Sequence, residues 1–307
     1  MARSRHTTLV YLAFFSIYVI WGSTYLLNKI AVGELPPFML AAIRFTVAGL
    51  LMFGLATVLG ISLSISKKQL RNTFVAGFLF LSFGNGVVVW ALKYVDSGFA
   101  ALEISAQPLV ILLLMWLLQG KKIRAMSLIG VALGIIGIYL LVSQKAIVQQ
   151  EDSWLGIALI FAAMLSWAYG SLFVGKADMP KQQLVNTGYQ MFTGGSMLFL
   201  ISWILGEEWV SPLQWSARVQ WAMVLLILLG SIVAFSAFNF LLKSVSPEKV
   251  ATNTYVNPIV ALVLGWAILD ERISLQSSIA ALILLTGVYF INTSKQRTGF
   301  RGPWRKG

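Results

Sequence analysis

Apolar runs of about twenty residues, broken by short polar punctuation, recur along the whole chain. A membrane-spanning helix needs about 20 mostly apolar residues. Ten runs meet that length, at 8–31, 37–59, 72–92, 97–118, 125–142, 154–174, 184–205, 220–242, 248–268 and 273–293. None alternates apolar with polar at period two, as strands of a membrane barrel do. The pattern therefore predicts an all-α integral membrane protein with ten transmembrane helices. Pro36-Pro37, Lys67-Lys68, Lys121-Lys122, Glu151-Asp152, Asp178-Met179-Pro180, Glu207-Glu208, Ser246-Pro247 and Asp270-Glu271-Arg272 mark the connections.

Composition agrees with this reading. Of the 307 residues 58% are hydrophobic and only 11% are charged. A soluble domain carries about 25% charged residues, so the charge is too sparse for a water-facing surface. Cys is absent, which excludes a disulfide scaffold. The net charge of +12 does not indicate nucleic acid, because the basic residues lie in short clusters between apolar runs rather than on one wet face. The first run contains Asn28 and Lys29 and is too long for the apolar core of a signal peptide. It reads as a retained first helix.

The basic clusters set an orientation. With the N-terminus inside, 17 of the 23 Lys and Arg residues fall on the inner side and 5 on the outer, with Arg44 left inside a span. This is the positive-inside bias, and it predicts both termini in the cytoplasm. The tail 294–307, with five basic residues and Trp304, reads as a segment attracted to anionic lipid.

The chain also resembles itself. At an offset of 150, Leu92-Lys93 matches Leu242-Lys243, Ala101 matches Ala251, Pro108 matches Pro258, Trp116 matches Trp266, Gly137 matches Gly287 and Tyr139 matches Tyr289. Upstream the offset is 146, pairing Trp21 with Trp167 and Gly49 with Gly195. This predicts a five-helix repeat over 1–148 and a second over 149–293. Five is odd, so the second repeat enters the membrane inverted. Inverted repeats build a site at their interface that opens alternately to either side.

These residues resemble the drug/metabolite transporter superfamily, in its ten-helix EamA-type exporter branch. The resemblance rests on Trp21-Gly22-Ser23, on Pro37-Phe38 with Ala41-Ala42-Ile43-Arg44-Phe45, and on Asn257-Pro258 to Trp266 followed by Asp270-Glu271-Arg272-Ile273. The first half repeats the last motif as Gln107-Pro108 to Trp116, but has Gly120-Lys121-Lys122-Ile123 where an acidic residue is usual. The resemblance implies an inner-membrane metabolite carrier with a cavity lined by helices 1, 3, 4, 6, 8 and 9. It names no solute.

Candidate site residues follow from polar groups inside the spans. Arg44 and Glu103 are the ionisable residues set well within them, seven and six residues from the outer ends of their helices, or about 10 and 9 Å deep at 1.5 Å per residue. One reading is structural, an ion pair or Arg44 capping an outer loop. The other makes Glu103 a cavity carboxylate that binds a cation or a coupling proton. Gln107 shares a helix face with Glu103, as Asn257 does with Asn253. Pro108 and Pro258 follow directly and predict paired kinks. Trp21 and Trp167, with Tyr18 nearby, offer stacking surfaces; Asn85 and Asn239 add polar groups to expected lining helices. Plain packing accounts for each of these as an alternative, and Gly130, Gly134 and Gly137 read as a packing stripe.

The expected partners are a small-molecule solute and membrane lipid, with protons open, no nucleic acid, no metal, no cofactor, and a monomeric or weakly dimeric chain. His6 is the single His, so no His-based acid–base pair fits inside the spans, which weighs against an intramembrane enzyme. A channel would need rings of pore-lining groups. No GxxxxGK[ST] loop occurs, so direct use of ATP is not expected.

Overall fold

The computed structural model describes residues 2–120, 125–144, 152–245, 250 and 253–295. The basic residues 121–124 and the tail 296–307 lie outside the described residues, as do Glu151, Ser246 and Pro247. Everything regular among the described residues is helical.

Ten helices run up and down in chain order. Helix α1 covers 2–32, with a π-helical segment at Ser16–Ile20; α2 is Pro37–Val58. Helix α3 covers 67–91, with a π segment at Phe78–Asn85; α4 covers 97–119 and is interrupted between Ile104 and Gln107. Then come α5 Ala125–Val142, α6 Ser153–Val174 and α7 Gln183–Ile204. Helix α8 covers 217–244 with a π segment at Leu226–Val233, and α9 Asn253–Leu269 and α10 Leu275–Lys295 complete the set.

Seven of these are long and apolar enough to cross a membrane, namely α1 to α6 and α8; α9 and α10 contain shorter apolar stretches. Helix α7 is as long as α2 but buries Asn186, Thr187 and Gln190 inside the bundle. Its polarity faces protein rather than lipid. Helix α3 starts five residues before the expected 72 because Ser66 and Gln69 form a capping box: the Ser66 hydroxyl accepts from the Gln69 N–H at 3.1 Å, and the Gln69 carbonyl oxygen accepts from the Ser66 N–H at 3.2 Å. That box supports a wet first turn carrying Lys67, Lys68 and Arg71.

In lipid, helices gain little from apolar contact alone, so close approach at small residues and polar ties decide how they pack. Two such approaches organise the bundle. Helix α2 lies along α7, where a Cβ on Gly49 would stand 2.7 Å from the Phe192 nitrogen, and one on Gly195 would stand 2.5 Å from the Thr46 nitrogen. Helix α5 lies along α10, where a Cβ on Gly137 would meet the Leu284 nitrogen at 2.9 Å, and one on Gly287 would meet the Gly134 nitrogen at 2.9 Å. Gly195 is the mate of Gly49 and Phe192 that of Thr46 at offset 146; Gly287 and Leu284 are the mates of Gly137 and Gly134 at offset 150. Each glycine therefore rests on the mate of the residue that its own mate rests on. That is the signature of a two-fold relation between inverted halves.

The remaining helices form two groups, α1 with α8 and α9, and their mates α6 with α3 and α4. Within the first, the Asn257 amide, oriented as its neighbours require, donates to the carbonyls of Tyr18 at 2.9 Å and Ile17 at 2.8 Å. Within the second, Gln107 Nε2 donates to the Met164 carbonyl at 3.0 Å. Met164 is the mate of Tyr18, so this tie too is repeated.

Gly137→Val places two methyl groups against α10 backbone and is expected to destabilise by about 1–3 kcal/mol, seen as a lower Tm in detergent. Gly54 faces open space, so Gly54→Ala should leave Tm unchanged or raise it slightly.

Candidate functional site

Between the two groups lies a cavity of about 1400 Å³. Its wall reaches from the aromatic centre of the molecule to Met115, Ser127 and the 177–181 connection, at the expected inner end. Towards the expected outer end the groups touch: α4 residues 97–104 pack on α1 and on α9. There a Cβ on Gly98 would fall 3.3 Å from the Leu262 Cα.

At that end three glutamates accept from helix starts, and one of them, Glu271, crosses the seam between the two groups. The first N–H groups of a helix have no intrahelical acceptor and carry its positive dipole end. Glu271, after α9, accepts from the N–H of Ser97 at 2.8 Å and of Gly98 at 3.1 Å, and from the Ser97 hydroxyl at 2.9 Å. Glu207, after α7, accepts from the N–H of Phe38 at 3.1 Å and of Met39 at 2.7 Å; Pro37 precedes them and has no N–H to satisfy. Glu34 accepts from the Ser216 hydroxyl at 2.7 Å and its N–H at 3.3 Å, at the start of α8. Lys29 Nζ adds bonds of 2.7 Å to the carbonyls of Leu92 and of Val95. The mates of the three acids at the opposite end are Lys121, Ile61 and Pro180. None of the three acids has an acidic mate.

Asp96 sits among these groups. Its low-polarity surroundings, and then the Glu271 carboxylate, raise its carboxyl above the usual range, while Lys29 opposes them.

The aromatic centre joins the two groups. Trp21 and Trp167 meet edge to face at 6.2 Å between centroids; Phe238 lies 5.0 Å from Trp21 and Phe80 lies 4.9 Å from Trp167. The Trp21 indole N–H donates to the Gly230 carbonyl at 3.2 Å. That carbonyl belongs to the α8 π segment. The α3 and α8 π segments occupy corresponding places in the two halves and both border the cavity, where such segments often mark function.

Of the expected site residues, Trp21, Arg44, Asn85, Gln107, Pro108, Trp167, Asn239, Asn253, Asn257 and Pro258 all line the cavity. Gln107 and Asn257 spend their amide N–H groups on carbonyls within their own helix groups. Asn239 donates to the Thr187 hydroxyl at 3.2 Å; the side-chain oxygen of Asn85 is buried without a hydrogen-bond partner. Tyr18 and Glu103 are not on the cavity wall. Tyr18 has its ring 5.6 Å from that of Phe14.

The expected Arg44–Glu103 pair is not made. Arg44 Nε donates to the Ser231 hydroxyl at 2.9 Å and a terminal nitrogen donates to the Asn28 side-chain oxygen at 3.3 Å. Glu103 is 3% exposed, and its Oε2 has no partner. The depths match, but α2 packs on α7 and α8 while α4 packs on α1, α6 and α9, so the two residues face different neighbours. The paired kinks also differ. Helix α4 breaks ahead of Pro108, whereas α9 runs through Pro258.

Sequence reasoning missed Asn28, Ser231, Phe80, Phe235 and Phe238 as wall residues. Asn28 was visible as a polar residue in an apolar run. The phenylalanines carried no signal that separates a cavity wall from lipid contact. Helices α1, α3, α4, α6, α8 and α9 line the cavity as the resemblance implied, joined by Arg44 and Phe45 of α2, Ser127 of α5 and Asn186 of α7.

With this geometry in place, comparison with known proteins decides the family. The EamA-like transporter family matches twice, over residues 8–143 and 154–293. The chain belongs to the EamA-like transporter family. It is 33% identical over 284 residues to the inner membrane transporter YedA of Escherichia coli (strain K12), covering 92% of this chain and 90% of that protein. It is 26% identical over 304 residues to a probable amino-acid metabolite efflux pump of the same organism, covering 94% of each. A solved crystal structure at 20% identity shares the fold, with a TM-score of 0.68 over 94% of this chain and 98% of that one. This EamA-like chain is a multi-pass transporter of the inner membrane.

Glu271→Gln keeps one acceptor but loses the charge at the α4 start, and is expected to destabilise by about 1–3 kcal/mol, read as Tm. Asp96→Asn should act with the opposite sign. A carboxyl raised in the folded state binds more protons there than when unfolded, so stability falls as pH rises through its folded pKa. The substitution should raise Tm modestly at neutral pH, with the gain fading on acidification.

Proposed function

We propose that this EamA-like protein is a secondary carrier that moves a small organic metabolite across the inner membrane by alternating access, most simply outward. The observation that carries this reading is a large central cavity, closed at one end by packed helices and reaching the other, between two helix groups related by an approximate two-fold axis. Exchange of the roles of the two halves would close the open end and open the closed one. In this reading both termini are cytoplasmic and the structure is the inward-open state. The name of the relative that is 26% identical, an amino-acid metabolite efflux pump, supports the metabolite class and the outward direction. The repeats are taken as 1–148 and 149–293, with 294–307 a basic cytoplasmic tail.

Counterflow in proteoliposomes tests the reading. Loading amino-acid metabolites inside and adding labelled tracer outside should give transient, saturable accumulation of tracer, because a carrier exchanges solute one for one as it turns over. Tracer that equilibrates linearly with concentration, with no overshoot, would identify a channel instead.

Glu103 is the proposed coupling residue, supported by a buried carboxylate oxygen without a partner one turn from the Gln107 wall position. Glu103→Gln is then expected to abolish the pH dependence of transport while preserving exchange. Exchange whose pH profile is the same as in the unaltered protein would remove Glu103 from coupling.

A further inference from the structure

The carrier reading leaves the chemistry of the solute open, and Arg44 narrows it. Arg44 is 2% exposed and contributes to the cavity wall. A guanidinium has five N–H donors. Two are used, on the neutral acceptors Ser231 and Asn28, while the Phe45 ring centroid lies 4.7 Å from the guanidinium carbon. Among the described residues no carboxylate pairs with it. A positive charge held away from water without a counter-charge is strongly disfavoured. An anionic guest offsets that cost, and a carboxylate matches the planar fork with two parallel N–H···O bonds.

The surroundings are arranged for the rest of such a guest. Ser231, which fixes the guanidinium, directly follows Gly230, which fixes the Trp21 indole. One π segment therefore positions the cation and the aromatic surface together. A Cβ at Gly230 would stand 3.2 Å from the terminal Arg44 nitrogen and 2.8 Å from Thr24 Cγ2, so the glycine keeps space beside the charge. Among the described residues, the other charged ones on the wall are Asp178 and Lys181, in the connection at the expected inner end. They have opposite signs, and the interior keeps the sign of Arg44. The repeat mate of Arg44 is Gln190, so the cation is single and the guest has one place for its charged end.

We infer that Arg44 is a carboxylate-binding residue and that the carried solute is an organic anion whose apolar or aromatic body packs on Trp21 and its ring neighbours. The inference rests on the carrier reading of the cavity. It ranks neutral solutes below anions of the same shape, and cationic solutes below both.

The test is a charge series on one body: 3-phenylpropanoate, 3-phenylpropanamide and 3-phenylpropylamine, titrated into the purified full-length protein with tryptophan fluorescence as readout. The carboxylate should bind at least tenfold more tightly than the amide, and the amine more weakly still. Arg44→Gln should remove the preference for the carboxylate, and Arg44→Lys should retain part of it. The comparison of probes on the unaltered protein needs no variant to fold. Equal or tighter binding of the amide or the amine, or absence of carboxylate binding, overturns the inference. Counterflow of each probe separates the two readings. Saturable exchange of the amine or the amide alone keeps the carrier and discards the anion, while uncoupled leakage of all three discards the carrier.

Discussion

The closed end of the cavity depends on carboxylates placed against helix N-termini. A helix start inside a membrane protein presents N–H groups that lipid cannot satisfy. Glu207, Glu271 and Glu34 satisfy the starts of α2, α4 and α8 from connections that belong to other helices. Of these, the Glu271 contact holds α4 against α9, with Lys29 of α1 tied to the Leu92 and Val95 carbonyls beside it, and the cavity follows the seam between the two helix groups towards the opposite end. Because Ile61, Lys121 and Pro180 stand at the corresponding positions, the two-fold relation of the backbones is not matched in chemistry.

Around that seam the packing separates rigid from adjustable parts. The α2–α7 and α5–α10 contacts bring backbone to backbone at glycines, where a shift of a fraction of an ångström produces overlap. Gln107 and Asn257 bind carbonyls within their own groups, so each group can move as a body without breaking them. Places where α-helical hydrogen bonding is relaxed lie beside the cavity: the π segments of α3 and α8, and the break in α4 ahead of Pro108. Rocking of the groups would concentrate its bending at those positions.

Much of this was legible in the chain. Ten helices followed from hydropathy, because lipid leaves the backbone few alternatives, and the repeat followed from Pro, Trp and Gly matches at fixed offsets. The Gly49–Gly195 and Gly137–Gly287 matches stood in the sequence, but the residues on which each glycine rests did not. What sequence could not supply was rotation about each helix. Arg44 and Glu103 have matching depths, but depth does not say which neighbour a residue faces, and each residue along a helix turns the side chain by a large angle. The π segments leave no composition mark. The acids at 34, 207 and 271 look like ordinary loop charges until the helix starts beside them are placed.

Reciprocal motion of the two helix groups can be followed by paired spin-label distances. The chain has no native Cys, so labels can be placed by Lys93→Cys with Arg218→Cys at the latched end, and by Lys176→Cys with Ser244→Cys at the other. In lipid nanodiscs, addition of an exchanged solute should lengthen the first distance and shorten the second in the same fraction of molecules. Both distances changing in the same direction, or neither changing while exchange proceeds, would contradict the account.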